Sequence, residues 1–240
     1  MEYEGCGHQD FPHSTAWADG IEVMDADPGA RNVFVHLNVA YAVRSGRELR
    51  VHVIQPCLDS TVVTWEEMVS ERFPCVAFVQ GSAWGEQPMG AMLEFWCRFA
   101  RRGYVVALVE YRPSDIAPFP AQVEDAKTAV RWLSAHHASF GIDPTRIALA
   151  GDSSGGHTVL LVHATEALGK LDDEPDAPLD VKVYVDFYGP TRLDLMNDEP
   201  TTMDHLSPES PEGRLLGGVD PRSVPELVER ADPGHWVSPD

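Results

Sequence analysis

The sequence is poor in basic residues, and this shortage excludes whole classes of protein. It has 18 Lys and Arg residues against 38 Asp and Glu residues in 240 positions, which gives a formal net charge of −20. A surface of this charge repels phosphate groups, so we expect no binding to nucleic acid. It also lacks the basic residues that hold a protein at a membrane surface, so we expect no membrane partner. A small neutral substrate is the natural fit.

The sequence contains no apolar run of about 18 residues, so we expect no transmembrane helix. Residues 1–17 carry acidic residues, His and Pro in place of the basic start and apolar stretch of a signal peptide. We therefore predict a cytoplasmic protein. Residues 1–30 show no hydrophobic periodicity and are predicted to form a loose arm ahead of one domain, residues 31–240.

Cysteines are few and scattered, which argues against a disulfide framework or a zinc site. The four stand at Cys6, Cys57, Cys75 and Cys97, without a CxxC pair. Reduced thiols are the default for such a pattern in a cytosolic protein. Cys6, His8 and His13 form a loose cluster, but no fourth ligand stands nearby. We therefore expect no metal.

Hydrophobic periodicity predicts a hairpin followed by alternating strands and helices. Residues 33–39 and 48–54 alternate as half-buried strands do, with Ser45-Gly46 as the turn between them. Apolar runs predict buried strands, and helical spacing predicts helices between them: strands at 74–79, 104–109, 146–150 and 181–187, helices at 92–99, 123–133 and 154–168. This order is typical of a mostly parallel sheet with helices on both faces. Residues 190–240 are predicted to form loops and short helices over the sheet's C-terminal edge.

One motif combines this fold pattern with chemistry. The segment Gly151-Asp152-Ser153-Ser154-Gly155 fits G-x-S-x-G, and a buried strand precedes it directly while a helix follows. That is the setting of a nucleophile elbow, in which a tight turn pushes the serine hydroxyl outward and larger residues at the glycine positions would collide with the strand and helix. The alternative is a phosphate-binding or structural glycine turn, but no P-loop Lys or G-x-G-x-x-G is present. We predict Ser153 as the nucleophile.

A second loop is predicted to bind the oxyanion that acyl transfer generates. Gln80-Gly81-Ser82-Ala83-Trp84-Gly85 follows the strand at 74–79, and small residues let the backbone approach a substrate closely. We predict that the backbone N–H groups of Gly81, Ser82 and Ser154 form the oxyanion hole. The alternative is an ordinary strand-to-helix loop. Trp84 is predicted to line the acyl or alcohol pocket, although a core position is equally compatible with a tryptophan.

With these motifs, the chain resembles the esterase/lipase group that includes the bifunctional feruloyl and acetyl-xylan esterase-like (BD-FAE-like) domains, related to hormone-sensitive-lipase-type esterases. The resemblance runs from about Tyr41 to about Asp240. Its anchors are Gln80-Gly81-Ser82-Ala83-Trp84, Glu110-Tyr111-Arg112, Phe119-Pro120-Ala121, Asp125-Ala126, residues 151–157 and Asp186-Phe187-Tyr188-Gly189-Pro190. It implies an α/β-hydrolase fold, hydrolysis of carboxylic esters through an acyl-enzyme at Ser153, and no cofactor.

The sequence departs from that family in two places. Where this chain has Gln80-Gly81-Ser82-Ala83-Trp84, the family often has His-Gly-Gly-Gly-Trp. The difference keeps the backbone donors, because each residue still carries an N–H group. Its acid and base follow the serine in the order Ser, Asp, His, after later strands. We therefore expect the last strands, the acid and the base beyond residue 240. We predict that none of the four histidines after Ser153 is the base and that Asp186 holds the adjacent loop; the histidines are His157, His163, His205 and His235.

Three functions remain open on these residues. The leading one is a carboxylesterase, for which polysaccharide acetyl groups, feruloyl groups and small drug-like esters are all compatible substrates. An arylformamidase-like amide hydrolase is the closest rival, because arylformamidases resemble this family in the same two loops. The third is a catalytically inert α/β-hydrolase fragment or binding module, since a serine without a base is a poor nucleophile at neutral pH.

Overall fold

Six strands form one mixed sheet in the order β1-β2-β4-β3-β5-β6. The structure is a computed structural model that describes residues 18–20, 31–57 and 70–237. The strands are β1 (Asn32–Arg44), β2 (Arg47–Cys57), β3 (Phe73–Val79), β4 (Val105–Val109), β5 (Ile142–Asp152) and β6 (Val181–Phe187). β1, β2 and β4 pair antiparallel, whereas β4, β3, β5 and β6 pair parallel. The Cys6, His8 and His13 cluster and nearly all of the predicted arm lie outside the described residues.

The predicted hairpin is confirmed as β1 and β2. Ser45 and Gly46 make its turn with φ values of 51° and 74°. Positive φ at both central residues gives the turn a twist that matches the two strands it joins. Leu49, Val51 and Val53 are fully buried, as their alternation predicts.

Helices cover both faces of the sheet, as predicted. The longer helices are α1 (Leu93–Ala100), α2 (Ala121–Ala135) and α3 (Ser154–Glu166). Every residue of β4 is buried, and its side chains alternate between two hydrophobic clusters, one on each face. Trp96 of α1 belongs to the smaller cluster and packs on Phe78, with ring centroids 4.5 Å apart. α2 and α3 supply the larger cluster on the opposite face.

The strand at 181–187 has the predicted bounds but is less buried than the other parallel strands. Val183 is 51% exposed and Phe187 is 49% exposed. The reason is position: β6 is at the edge of the sheet formed by the described residues, with β5 as its one partner there. An apolar run predicts a strand, but it does not distinguish an edge from the centre.

Residues 190–237 form loops and short helices, as predicted. The helices are α4 (Pro211–Leu215), α5 (Pro225–Ala231) and α6 (Pro233–Trp236), with one 3₁₀ turn at Pro221–Ser223. Each begins with a proline, whose fixed φ suits a first helical position. Within the described ranges, no helix combines the length and the apolar composition that crossing a bilayer requires.

Candidate active site

Ser153 stands alone between β5 and α3 in a backbone conformation that residues with a Cβ rarely adopt. Its φ is 51° and its ψ is −124°. Its backbone N–H donates to the Phe187 carbonyl oxygen at 2.9 Å, which ties the turn to the end of β6. Its hydroxyl does not cap α3 and makes no hydrogen bond to any described residue. Strain at a serine whose hydroxyl is unengaged is what the nucleophile-elbow prediction requires.

Close packing explains both glycines of the motif. A Cβ at Gly151 would lie 2.5 Å from the Gly155 carbonyl oxygen, and a Cβ at Gly155 would lie 2.0 Å from the Val79 carbonyl oxygen. Real Cβ atoms do not come that close, so neither position accepts a side chain without a backbone shift. The start of α3 therefore packs directly against the C-terminal ends of β5 and β3, the collision that the sequence argument invoked.

The glycine-bearing loop lies against the elbow. A Cβ at Gly81 would lie 2.8 Å from Ser153 Cβ and 2.7 Å from the Asp152 carbonyl oxygen. Ala83 and Trp84 both have φ of 54°, so the chain turns sharply just after this contact. The structure thus brings the predicted loop and the predicted nucleophile together.

Two of the three predicted oxyanion donors already have partners in this structure. Gly81 N–H donates to Asp152 Oδ1 at 2.8 Å, and Ser82 N–H donates to Ser154 Oγ at 2.9 Å. By contrast, the N–H groups of Ser154 and Ala83 make no hydrogen bond to described residues. Ser154 opens α3, where a helix always leaves N–H groups without an internal partner.

Tyr111 supports both halves of the site, a role that the sequence argument did not assign. Its hydroxyl lies 2.9 Å from Ser82 Oγ and 3.3 Å from Ser154 Oγ. Because Ser82 Oγ donates its own proton to the Gly85 carbonyl oxygen, the Tyr111 hydroxyl is the donor to Ser82. Burial raises the pKa of the Tyr111 phenol, which keeps it a neutral donor. The one sequence signal was its place in the Glu110-Tyr111-Arg112 anchor.

Gln87 is a second supporting residue without a sequence signal. Its Nε2 donates to the carbonyl oxygens of Gln80 and Val109 at 3.0 and 3.1 Å, and its Oε1 accepts from Tyr111 N–H at 2.8 Å. One buried amide therefore joins the ends of β3 and β4 beneath the glycine-bearing loop.

The serine opens into a cavity of about 500 Å³, called here the Ser153 cavity. Trp84 is part of its wall although only 2% exposed, so it is both a core residue and a lining residue. Its role in substrate binding stays a prediction. Residues after β6 form the opposite lining: Tyr188, Pro190, Thr191, Arg192, Leu195, Met196, Met203, His205, Pro211 and Glu212.

The four histidines after Ser153 occupy four different environments. His157 is buried, accepts from Trp84 Nε1–H at 3.2 Å and donates from Nε2 to the Ala231 carbonyl oxygen at 2.8 Å. Burial lowers the His157 pKa to about 4, so the ring is neutral and fully engaged. His163 is largely exposed and stacks on Tyr184, with ring centroids 4.5 Å apart.

The other two histidines lie in separate depressions of the surface. His235 lines one of about 580 Å³ that does not include Ser153. His205 lines the Ser153 cavity, and its Nδ1 lies 3.0 Å from Glu212 Oε1. Sequence reasoning missed this placement, because His205 belongs to an irregular segment without periodicity.

Two aspartates near the elbow hold loops. Asp186 Oδ1 accepts from Gly189 N–H at 2.9 Å, as expected for a residue that fixes the loop after β6. Asp152 uses its two oxygens separately, one for Gly81 N–H and the other for the Tyr188 hydroxyl at 3.3 Å. It therefore links the loops that follow β3 and β6.

The sequence profile of the BD-FAE family matches residues 63–240. The chain belongs to the BD-FAE family. The resemblance found from the sequence motifs is thereby confirmed, and the match includes the elbow, the glycine-bearing loop and the lining after β6.

Curated relatives of the chain are esterases by name. Carboxylesterase NlhH of Mycobacterium tuberculosis is 36% identical over 100 residues, which cover 40% of this chain and 30% of that protein. A probable isoprenylcysteine alpha-carbonyl methylesterase of Oryza sativa is 36% identical over 121 residues, covering 48% and 28%. Esterase LipI of M. tuberculosis is 33% identical over 147 residues, covering 49% and 46%. The chain thus spans less than half the length of these relatives.

Solved structures confirm the α/β-hydrolase fold. A truncated carbohydrate esterase from gut microbiota aligns over 90% of this chain and 75% of its own, at 24% identity and a TM-score of 0.68. Esterase 2 of Thermogutta terrifontis aligns over 88% of this chain and 66% of its own, at 23% identity and a TM-score of 0.56.

Proposed function

We propose that this chain carries the nucleophile-bearing part of a serine hydrolase that acts on carboxylic esters. The observation that carries the proposal is the unengaged hydroxyl of Ser153, at positive φ, in a cavity beside the glycine-bearing loop. The esterases among the relatives support the same reaction class. The substrate that we propose is a small, neutral ester, because the chain carries a strongly negative net charge.

In the proposed reaction, Ser153 Oγ attacks the ester carbonyl carbon and gives up its proton to a base. The tetrahedral intermediate collapses, the alcohol leaves with a proton, and an acyl-enzyme remains until water releases the acid. No described residue is assigned as the acid or the base, so we expect this chain to turn over slowly, because loss of triad members costs several orders of magnitude.

We propose a change to one member of the predicted oxyanion hole. Gly81 N–H donates to the Asp152 carboxylate, whereas Ala83 lines the Ser153 cavity and its N–H makes no hydrogen bond to a described residue. We therefore assign Ser82, Ala83 and Ser154 as the backbone donors. Gly81 keeps a different role, since only a residue without a Cβ lets the loop approach Ser153 this closely.

A fluorophosphonate probe tests the nucleophile directly. Because no base is assigned, we expect slow covalent labelling of the folded chain at Ser153 over long incubation, mapped by peptide mass spectrometry, and no labelling of the Ser153→Ala variant. Absence of labelling in a folded, unsubstituted sample would refute the proposal and favour the inert binding module. Comparing short p-nitrophenyl esters with N-formyl anilides then separates a carboxylesterase from an arylformamidase-like amide hydrolase, by which of the two is hydrolysed faster.

A further inference from the structure

A buried histidine–carboxylate pair stands in the wall of the Ser153 cavity. His205 Nδ1 lies 3.0 Å from Glu212 Oε1, and the two side chains are only 12% and 3% exposed. Both residues line the same cavity as Ser153. Buried ionisable groups need hydrogen-bonded partners, so this contact fixes the orientation of the imidazole ring.

The backbone holds each member of the pair in place. His205 N–H donates to Asn197 Oδ1 at 2.8 Å. Glu212 lies in the first turn of α4, which Ser210 caps by accepting from Gly213 N–H at 2.9 Å. The geometry of the pair is therefore set before any ligand enters.

Of the two ring nitrogens of His205, Nε2 has the weaker hydrogen bond. Glu212 Oε2 is buried without a partner among the described residues, so the carboxylate depends on a proton donated by His205 Nδ1. In that tautomer Nε2 is an acceptor. Among the described residues, its hydrogen-bond partner is Thr201 Oγ1 at 3.3 Å, a long contact, and that hydroxyl also accepts from Met203 N–H at 3.1 Å.

We propose that His205 Nε2 accepts a hydrogen bond from a hydroxyl group of the substrate, with Glu212 as its positioning residue. This proposal rests on the ester hydrolase function and deepens it: the cavity prefers esters that carry a hydroxyl near the reacting carbonyl over plain alkyl esters. Trp84 and Met203 supply apolar contact, and Arg192 pairs with Asp194 at 2.8 Å.

Equilibrium binding to the Ser153→Ala protein tests the proposal without any turnover. Ethyl butyrate and 2-hydroxyethyl butyrate form a matched pair that differs by one hydroxyl. We expect the hydroxylated ester to bind about fivefold more tightly, the effect of one neutral hydrogen bond. The ¹⁵N resonance of His205 Nε2 should move with the hydroxylated ester and not with the ethyl ester.

Variants test whether His205 and Glu212 cause the preference for the hydroxylated ester. His205→Phe and Glu212→Leu should abolish it, whereas Glu212→Gln should keep it because its amide oxygen still accepts from Nδ1–H. His163→Phe, at an exposed histidine outside the cavity, is the matched control and should keep the preference. Thr201→Val removes the competing hydroxyl and should strengthen the preference. If His205→Phe does not fold, the Nε2 resonance of the Ser153→Ala protein decides alone.

Equal binding of the two esters, no measurable binding of either at millimolar concentration, or a preference that survives in folded His205→Phe would overturn the proposal. The fluorophosphonate experiment stays independent of it. If labelling fails but the hydroxylated ester still binds more tightly, Ser153 is not the nucleophile and the proposed role of His205 stands. If labelling succeeds but the two esters bind equally, the nucleophile stands and the role of His205 is refuted.

Discussion

Acidification should destabilise the protein through His157, the buried histidine beneath the Ser153 cavity. Its Nδ1 accepts from Trp84 Nε1–H, and its Nε2–H donates to the Ala231 carbonyl oxygen. A second proton would have to enter at Nδ1 and would face the Trp84 N–H donor. Burial is the main cause that lowers the His157 pKa, and the contacts with Ala231 and Asp232 oppose it.

The size of the effect follows from the difference between the two pKa values. The pKa falls from 6.5 to about 4 in the folded state. A folded-state pKa below the unfolded value contributes stability that is complete above pH 6.5 and is lost as the pH falls toward 4. At about 1.4 kcal/mol per pKa unit, the loss reaches about 2.5 kcal/mol at pH 4.5. Carboxyl groups elsewhere in the protein titrate in the same pH range, so a variant is needed to separate the contribution of His157 to the pH dependence of stability.

The assay is urea denaturation followed by tryptophan fluorescence at pH 7.5 and pH 4.5. His157→Phe keeps a ring of similar size and cannot titrate, but it leaves the Trp84 N–H and the Ala231 carbonyl unpaired, at about 1–3 kcal/mol each. The unsubstituted chain should therefore be more stable than His157→Phe at pH 7.5, and the gap should shrink by about 2.5 kcal/mol at pH 4.5. His163→Phe should leave the pH dependence unchanged. A gap of equal size at both pH values would refute the reasoning.

The loop and elbow give three further predictions, each measured by the fluorophosphonate labelling rate and by thermal unfolding. Gly81→Ala should lower the labelling rate more than tenfold, because its methyl group would collide with Ser153 Cβ. Gly90→Ala should leave the rate unchanged, because there is open space around that position. Ser154→Ala keeps its backbone donor and frees Ser82 N–H, so labelling should hold or rise; a tenfold fall would contradict the assigned donors. Tyr111→Phe removes the hydroxyl that donates to Ser82 and should cost about 1 kcal/mol of stability, and an unchanged unfolding temperature would count against that contact.

The elements that the sequence predicts correctly are those that local chemistry determines. Alternation along β1 and β2 and the positive-φ turn at Ser45-Gly46 need no information from distant residues. The elbow is local only in part: Gly151 is required by the nearby Gly155 backbone, whereas Gly155 is required by the Val79 carbonyl oxygen of β3, and the G-x-S-x-G pattern signals both. The helix order on the two faces then follows from the alternation of parallel strands and helices.

What the sequence does not predict depends on side-chain choices between distant segments. Asp152 and Gly81 are 71 residues apart, and nothing in either segment indicates that the carboxylate takes the N–H predicted for the oxyanion. The His205–Glu212 contact spans only seven residues, but it forms across an irregular loop and a short helix, where no period relates one position to the next. Its placement beside Ser153 depends on how residues 190–237 fold over the sheet.

The occupied donors near Ser153 are compatible with catalysis because of a difference in hydrogen-bond strength. Ser82 N–H donates to a neutral hydroxyl, Ser154 Oγ, at 2.9 Å. A hydrogen bond to a developing oxyanion is about twice as strong as one between neutral groups. When Ser82 N–H turns to the oxyanion, the Ser154 hydroxyl keeps one hydrogen bond, because it can donate to the Tyr111 hydroxyl oxygen 3.3 Å away. Gly81 N–H has no such release, since its acceptor is a carboxylate, and this difference supports the proposal that Ser82, Ala83 and Ser154 bind the oxyanion.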